Sequence, residues 1–521
     1  MFEDALSTLR RLAEQRIATK NREYNSHASI NRLPNEIIGY ILELVVAGTR
    51  QKSMDKTISR DSSRCLKVIN EVSSHFRDVA LATPRLWGYV ETTDTNPINP
   101  TFLARSKGAP LHVTIGCESY QDITAEAQVL FKQLSPLVDR IKSFHCGAFL
   151  GDAIGMWEYL TNPAPTLEAL VLAPEGNTSY LSRESSSGYS KIMRSLFAGT
   201  APRLKTLHLK LVRIPWDSPI YGPTVTSMHL ASLHYSDRPS SEELSKLLSR
   251  CPNLEDLRLK GAGPLAPLTP PSTQVVQMLH LSNIEISDVD STAAGFVLGV
   301  IEVEDTSTVY ISIDIRLGHT QSLRTVLPKA SDRSLSHSLL TNINTFEIHP
   351  AVRKFSLFTI GNRQSLCITR FRTRTNTLVL EPDDIVFPSL TTVHIHKLEE
   401  ERHALIARGL LQRLSSHIQR VKIIDSQFLD AVLEFLLHPI SGQSSKQWNV
   451  PLLEEIVLSN CQVDTERLVT SIAARSSYQQ EGGERLKTDA FSLKLENCSM
   501  SQDEITAMSE CMVGDLLWDG N

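Results

Sequence analysis

Over the first 90 residues of the chain, apolar residues recur every three or four positions, which is the spacing of an amphipathic helix. Residues 1–22 follow this spacing and predict an N-terminal amphipathic helix. In residues 30–46 the apolar side chains surround most of a second predicted helix: Ile37, Ile38, Ile41, Leu42, Leu44 and Val45. A helix that rests only on its own domain needs a single apolar stripe. This segment therefore predicts that a second surface covers its other side.

A different apolar pattern begins near residue 160. Units of the form apolar-x-x-apolar-x-apolar recur at irregular intervals, and this is the strand pattern of a leucine-rich repeat. Cys461 and Cys498 fall at the ninth place of the last two units, where that repeat usually has Asn or Cys. The alternating stretch 309–313 is a candidate degenerate repeat. The units begin at Leu167, Leu204, Val225, Leu254, Val276, Ile343, Leu390, Ile418, Leu453 and Ala490.

These patterns predict an α/β repeat fold. A small helical domain at residues 30–90 is followed by a connecting segment at 100–160 and an irregular leucine-rich-repeat solenoid at 161–510. Because a single repeat cannot cover its own apolar face, neighbouring repeats have to stack, with a parallel sheet on the concave side. The pattern does not fix the number or the exact boundaries of such degenerate repeats.

The fifth place of each repeat unit is expected to face outward from the concave sheet. Seven of the ten residues at this place are basic or histidine: His208, His229, Arg258, His280, His394, Lys422 and Lys494. One interpretation is that these are ordinary polar residues facing solvent. The other is a basic stripe that receives an acidic or phosphorylated segment of a partner protein.

The composition and charge narrow the classes of function. The chain has 521 residues and a net charge of −5, which argues against a dedicated nucleic-acid binder because phosphate neutralisation needs a concentrated basic surface. The eight cysteines are scattered, with no zinc-like spacing. We expect no transmembrane helix and no secretory signal, reduced thiols, and a cytoplasmic or nuclear protein with no nucleic-acid or membrane partner.

The sequence offers no set of residues that predicts catalysis. The phosphate-binding, dinucleotide-binding and nucleophile-elbow motifs are all missing. The run "HIHKLEEERH" superficially resembles a metal cluster, with His394, His396, Glu400 and His403. His403 is expected in a helix beyond the strand that carries the first two histidines, so the four groups are not expected to converge on one ion. We therefore expect no enzyme, no cofactor and no metal site.

The order of motifs in residues 30–90 resembles an F-box domain. A Leu-Pro pair starts the first helix, a second helical segment carries an apolar, aromatic and arginine pattern, and a Leu-Trp pair closes the block. The matching residues are Leu33, Pro34, Ile37 to Val45, Val72, Phe76, Arg77, Val79, Ala80, Leu86 and Trp87. The continuation into irregular leucine-rich repeats is similar to many fungal F-box proteins. Two features depart from the family pattern: a long insert at 47–64, and Phe76 where the aromatic residue is often Trp.

The resemblance implies a function and a partner. F-box domains bury their first helices against a Skp-type adaptor, which links them to cullin and RING subunits. By this resemblance, the chain is expected to be the substrate-recognition subunit of a Skp–cullin–F-box (SCF) E3 ubiquitin ligase. The repeats are then expected to bind a target protein that the sequence does not name. The adaptor-binding residues are expected to be Leu33, Pro34, Ile37, Ile38, Ile41 and Leu42, with Val72, Phe76 and Trp87 in support.

Three alternatives remain open at the level of sequence. The chain could be a non-catalytic scaffold that engages the adaptor without promoting ubiquitin transfer. It could be an enzyme with an undetected site in the long interval between Val276 and Ile343. Finally, residues 30–46 could pack wholly beneath the solenoid as an end cap, since repeat arrays require capped ends.

Overall fold

The computed structural model divides the chain into two compact units, Met1–Val225 and Thr226–Asn521. Each is an assembly of helices and mainly parallel strands, which confirms the α/β class. In the described part of the chain, no helix has the length and apolarity needed to span a membrane. The residues that the structure describes are 2–51, 61–92, 100–115, 124–147, 158–173, 196–233, 237–265, 275–303, 309–315, 335–349, 354–359, 364–369, 387–414, 417–438, 448–480, 491–512 and 514–519.

The first unit begins with helices. The N-terminal helix is longer than the predicted 1–22, and part of the insert at 47–64 is helical, while residues 52–60 lie outside the described residues. The single helical pattern around Val72 and Phe76 is divided between two helices. Ser73 is extended there, and its side-chain oxygen accepts a hydrogen bond from the Phe76 backbone N–H at 3.1 Å, which starts a new helix. The helices are α1 (Phe2–Ser26), α2 (Asn35–Gln51), α3 (Asp61–Val72), α4 (Ser74–Ala82), α5 (Pro100–Ser106) and α6 (Thr124–Leu134).

The described residues of this unit also form five parallel strands, which begin after α4 and are interleaved with α5 and α6, and each pairs with the next along the chain. They are β1 (Tyr89–Thr92), β2 (Leu111–Ile115), β3 (Ile141–Cys146), β4 (Ala169–Leu172) and β5 (Thr206–Lys210). One buried residue from each strand stands in a common row across the sheet: Val90, Val113, Phe144, Leu170 and Leu207. Parallel strands therefore begin at Tyr89, well before residue 161, where the sequence pattern placed the start of the repeats.

The second unit contains a larger sheet whose strands are parallel apart from one. The spatial order is β6, β7, β9, β11, β14, β13, β12 and then β15 to β19, and only β13 is antiparallel to its neighbours. The strands are β6 (Ser227–Ala231), β7 (Asp256–Lys260), β9 (Asn283–Val289), β11 (Val309–Ile315), β12 (Ile343–His349), β13 (Lys354–Thr359), β14 (Gln364–Thr369), β15 (Thr392–His396), β16 (Arg420–Ile424), β17 (Glu455–Ser459), β18 (Ser492–Glu496) and β19 (Leu516–Trp518). The sequence predicts a sheet in which all strands are parallel, and β13 is the exception to that prediction.

From β15 to β19, helices alternate with the strands of the second unit. The last four each follow a strand and pack against one another in chain order. The first residue after each of β16, β17 and β18 has a positive φ, at Asp425, Asn460 and Asn497. Asp and Asn are the non-glycine residues that tolerate this left-handed conformation best. The helices are α7 (Ser241–Arg250), α8 (Ser291–Val300), α9 (Leu335–Asn342), α10 (Glu401–Leu414), α11 (Asp430–Leu437), α12 (Thr465–Gln480) and α13 (Gln502–Cys511).

One predicted repeat unit has the wrong register. The unit that begins at Val276 contains Leu279, but this residue lies in a turn and is 46% exposed. Val276 belongs instead to the short strand β8 (Val276–Gln277), which pairs with β10 (Ile301–Glu302) in a separate two-stranded sheet. The strand of the main sheet is β9, where Ile284 stands beside Leu257 of β7. Leu281, Ile284 and Ile286 satisfy the same pattern five residues later and are buried, so burial selects this register.

The other nine predicted units each coincide with a strand, and the degenerate stretch 309–313 is part of β11. The first residue of the last unit, Ala490, lies outside the described residues.

Candidate protein-binding site

Helix α2 carries two apolar stripes on different faces. Ile38, Leu42 and Val46 are 1%, 4% and 0% exposed and form the first stripe. The second stripe, hereafter the outer stripe, consists of Ile37, Tyr40, Ile41, Leu44 and Val45. Successive residues of an α-helix are about 100° apart, so these positions cluster on a neighbouring face. Ile41 is half-buried, and the other four residues of the outer stripe are 47–58% exposed.

The first stripe is covered by the chain itself. It packs into a core formed with α3, α4 and the segment that follows α4, including Leu66, Ile69, Val79, Ala80, Leu86 and Trp87. Phe76 is partly buried against this core. Burial of several large apolar side chains, each contributing roughly 1.5–3 kcal/mol, stabilises the helical bundle without the outer stripe.

The Leu-Pro pair positions the start of α2. Leu33 is extended, with φ −72° and ψ 146°, as expected for a residue that precedes proline. The Pro34 carbonyl accepts hydrogen bonds from the backbone N–H groups of Ile37 and Ile38 at 3.0 and 3.1 Å. Leu33 and Pro34 are themselves exposed, Leu33 by 37%. They therefore add apolar surface at the end of α2 where the outer stripe begins.

Helix α3 also exposes apolar residues. Val68 and Val72 are four residues apart on one face of the helix and are 55% and 57% exposed. Val72 is thus accessible, as its proposed part in adaptor binding requires. The expected adaptor residues did not include Tyr40, Leu44, Val45 or Val68. Steps of three or four positions from Ile37, Ile41 and Val72 would have found all four.

Three of the nine expected adaptor residues lie in the interior and cannot contact a partner directly. They are Ile38, Leu42 and Trp87, and this corrects the expected contact set. Trp87 is 2% exposed, and its indole N–H donates a hydrogen bond to the Ala80 carbonyl at 2.8 Å. Its ring packs edge-on against Phe102 and lies under the Arg105 guanidinium, 4.4 Å from the ring centroid. These three residues support the bundle that presents the outer stripe.

The fifth-place residues of the second unit form a continuous row across the sheet, but the row is mixed in charge. Its members, in spatial order, are His229, Arg258, Glu285, Ser312, Cys367, Ser356, Glu347, His394, Lys422, Val457, Lys494 and Leu517. His280, expected in this row, lies in the turn before β9, and Glu285 occupies its place. His208 lies on β5 in the first unit.

Carboxylates accompany the cations of this row. Arg258 is 3.1 Å from a carboxylate oxygen of Asp256 and 3.9 Å from one of Glu285. Lys422 and Lys494 lie 3.0 and 2.8 Å from the two carboxylate oxygens of Glu496. The hydrogen bond from Lys494, and after it the one from Lys422, lowers the pKa of Glu496 to about 2. For His229, burial and then the nearby Arg258 lower the pKa, which favours the neutral ring. The predicted basic stripe is therefore largely charge-balanced.

Four titratable groups meet at the centre of the row, on β12 and β15. Glu347 stands beside His394 in the strand register, at 3.3 Å between Oε1 and Nδ1. His349 Nε2 is 3.6 Å from Glu347 Oε2, and the His349 ring stacks on that of His396 with centroids 4.3 Å apart. Hydrogen bonds from His349 and His394 lower the pKa of Glu347 well below its usual range. Burial lowers the pKa of His396 to about 4, so this ring is neutral. These four residues are called the His–Glu cluster below.

The two other groups of the "HIHKLEEERH" run do not join the cluster. Glu400 pairs with Arg402, and His403 is buried in the first turn of α10. Glu347 and His349, which do join it, come from a strand 47 residues earlier. The signal for them is that "FEIH" and "VHIH" carry polar residues at the same two places of two repeat units.

The cysteines at the ninth place of the last two units have structural contacts. Cys461 Sγ lies 3.3 Å from the Ile423 carbonyl, and Cys498 Sγ lies 3.4 Å from the Leu458 carbonyl, each on the preceding strand. Burial raises the pKa of Cys461 to about 11 and that of Cys251 to about 12, and it also raises the pKa of Cys498. All three thiols are therefore protonated at neutral pH and are poor nucleophiles.

The chain matches no protein-family model and no curated protein. Function is therefore inferred from the outer stripe, from the charges of the strand row, and from the motif order of residues 30–90.

Proposed function

We propose that this chain is the substrate-recognition subunit of an SCF E3 ubiquitin ligase, and that the outer stripe of α2 binds a Skp-type adaptor. The observation that carries the proposal is the exposure of this stripe, because a helix already anchored by a complete apolar face has no structural need for a second one. Exposed apolar patches of this kind commonly mark protein interfaces. The F-box-like motif order of the same residues selects the adaptor as the partner.

The exposed residues on α2 and α3 suit an interface of moderate size. Leu33, Ile37, Leu44, Val45 and Val72 are each between 37% and 57% exposed, so a partner has apolar area left to bury on every one of them. The remaining polar side chain on this part of α2, Glu43, lies 3.7 Å from Arg85 on the neighbouring segment. The ion pair keeps this carboxylate associated with a cation at the margin of an otherwise apolar helix.

In this proposal the parallel strands form a leucine-rich-repeat solenoid, and the strand row of the second unit binds the target protein. Because the cations of that row are paired with carboxylates, we expect a target segment of mixed charge rather than a uniformly acidic one. In this scheme the role of the chain is binding and not chemical catalysis. It raises the effective concentration of target lysines near a ubiquitin-charged conjugating enzyme.

Co-purification with defined variants tests this proposal. The full chain is expressed with a tagged Skp-type adaptor and a cullin–RING pair, and the captured proteins are quantified. The test variant is Ile37→Asp/Leu44→Asp. The matched control, Val129→Asp/Leu405→Asp, changes two apolar residues that are 58% and 51% exposed on α6 and α10.

Wild type and control are expected to capture adaptor and cullin, while the test variant loses both. Capture of adaptor without cullin would instead support the scaffold alternative. Retention of adaptor by the test variant would refute the assignment of the outer stripe. In a reconstituted reaction, ubiquitin transfer onto lysines of the chain itself reports ligase assembly without requiring a known target.

A further inference from the structure

The His–Glu cluster is built from two adjacent parallel strands. Glu347 and His349 alternate with the buried Ile348 on β12, and His394 and His396 alternate with the buried Ile395 on β15. Because side chains of a strand point alternately to its two faces, all four groups project from the same face of the sheet. The strand register pairs Glu347 with His394 and ends at Ile348 and Ile395, and the rings of the next two residues, His349 and His396, stack with centroids 4.3 Å apart.

Three of these groups bring metal-binding atoms together. One ligand atom each from Glu347, His394 and His396 lies within 4.8 Å of the other two. In a tetrahedral zinc site with bonds of about 2.0–2.2 Å, ligand atoms are separated by roughly 3.3–3.6 Å. A separation of 4.8 Å exceeds this spacing by about 1.5 Å at most, which is within the reach of side-chain rotation.

One atom in the cluster lacks any polar contact in the described structure. His396 Nε2 is buried and has no hydrogen-bond partner among the described residues. A buried polar atom without a partner costs roughly 1–3 kcal/mol, so such atoms usually have a reason to persist.

We infer that Glu347, His394 and His396 bind a divalent transition-metal ion, with zinc as the probe of choice. Two imidazoles and one carboxylate suit zinc and related first-row ions, and they leave a fourth position for water or an external ligand. His349 is a positioning residue. Its ring lies flat on His396, and its Nε2 approaches the second oxygen of Glu347, which leaves Oε1 directed toward His394.

The strands and turn next to the cluster carry charges of both signs. Lys422 stands beside His394 on the next strand, but its ammonium group is 3.0 Å from Glu496. Lys354 on β13 is the register partner of His349. Asp425, which carries a carboxylate, follows directly after the end of β16. The proposed site is independent of the adaptor-binding function, and it can be tested on the chain alone.

Zinc titration of the purified full chain, first treated with a chelator and then desalted, provides the test. Binding is measured by competition with a chromophoric chelator, and thermal unfolding is followed in parallel. The wild-type chain is expected to bind one equivalent of zinc at this site and to unfold at a higher temperature when zinc is present. The control His280→Ala, which removes an exposed histidine from a turn outside the cluster, is expected to bind zinc like wild type.

His396→Ala and Glu347→Gln are expected to weaken zinc binding at least 10-fold, the lower end of the effect seen when supporting residues of metal sites are removed. Circular dichroism without metal establishes that each variant is folded, and the near-isosteric Glu347→Gln gives the answer if His396→Ala is unstable. Cobalt substitution is expected to give visible bands without a thiolate charge-transfer band. Absence of zinc binding in wild type, or equal binding by wild type and both variants, would overturn the inference.

Discussion

The two apolar stripes of α2 predict opposite consequences for neighbouring substitutions on one helix. Ile37→Ala/Leu44→Ala shortens two exposed residues, whereas Leu42→Ala shortens one that is 4% exposed. The first variant is expected to weaken adaptor binding and leave the bundle stable. The second is expected to destabilise the bundle while leaving the outer stripe chemically unchanged.

The structure sets the expected magnitudes. Ile37 and Leu44 are 47% and 54% exposed, so about half of each side chain remains for a partner to bury. Complete burial of such a side chain is worth roughly 1.5–3 kcal/mol, so the pair contributes roughly 1.5–3 kcal/mol to binding. That energy corresponds to a roughly 10- to 150-fold increase in Kd. Leu42→Ala instead leaves a cavity in the core and is expected to cost roughly 2–5 kcal/mol of stability.

Calorimetric titration of adaptor into each full-length variant measures Kd, and urea unfolding followed by Trp fluorescence measures stability. Both are compared with wild type and with Leu405→Ala, which shortens an exposed leucine on α10. If Ile37→Ala/Leu44→Ala lowers stability as much as Leu42→Ala does, the outer stripe is part of the core and the two-stripe reasoning is wrong. If stability and Kd are both unchanged, the stripe is exposed but binds no adaptor.

Three further predictions concern other parts of the chain. Trp87→Phe removes the indole hydrogen bond to the backbone of α4 and is expected to destabilise the helical bundle by roughly 1–3 kcal/mol, measured by urea unfolding; an unchanged midpoint would contradict this account. The pKa of Glu496 is about 2 in the folded chain, against an ordinary value of 4.5. Its contribution to the free energy of unfolding is therefore complete above pH 4.5 and is lost as the pH falls toward about 2. Glu496→Gln is thus expected to lower the free energy of unfolding by about 1 kcal/mol at neutral pH, a small value because the Lys494 partner is partly exposed and screened. At about pH 3 the loss is expected to be much smaller. A loss independent of pH would argue against the ion pairs. Cys461, with a thiol pKa of about 11, is expected to resist alkylation until the protein unfolds, whereas the partly exposed Cys511 is expected to react before it. Mass spectrometry of alkylated peptides measures the order of labelling. Early labelling of Cys461 would contradict its burial.

Local periodicity located most elements because each strand carries its own inward-facing residues. Leu254, Leu257 and Leu259 are all fully buried, as their spacing requires. The same reasoning failed at residues 276–286, where two registers satisfy one pattern and only contact with β7 separates them. It also gave no indication that β13 would run antiparallel, because alternation within a strand is identical for both directions of pairing.

At the candidate sites, too, spacing within one segment predicted some features, and contacts between segments decided the others. The helical pattern established that α2 has too much apolar surface for one stripe, and it included Ile37 and Ile41 among the candidate contacts. It could not separate these from Ile38 and Leu42, because all four are isoleucine or leucine and differ only in what packs on them. From the sequence we expected no metal site at His394 and His396, because His403 was expected in a helix beyond their strand. Glu347 and His349, which lie beside them in the structure, come from a strand that is distant in the chain.

By itself, the sequence determined the α/β class, the sites of nine strands and of part of β11, and the excess of apolar residues around helix α2. These are properties of single elements, and each follows from side-chain spacing along a few turns or one strand. Only the tertiary structure decided which apolar face of α2 stays exposed, which register β9 adopts, and that Glu347 meets His394. Those outcomes depend on packing and hydrogen bonding between segments distant in the chain, and spacing within one segment carries no information about them.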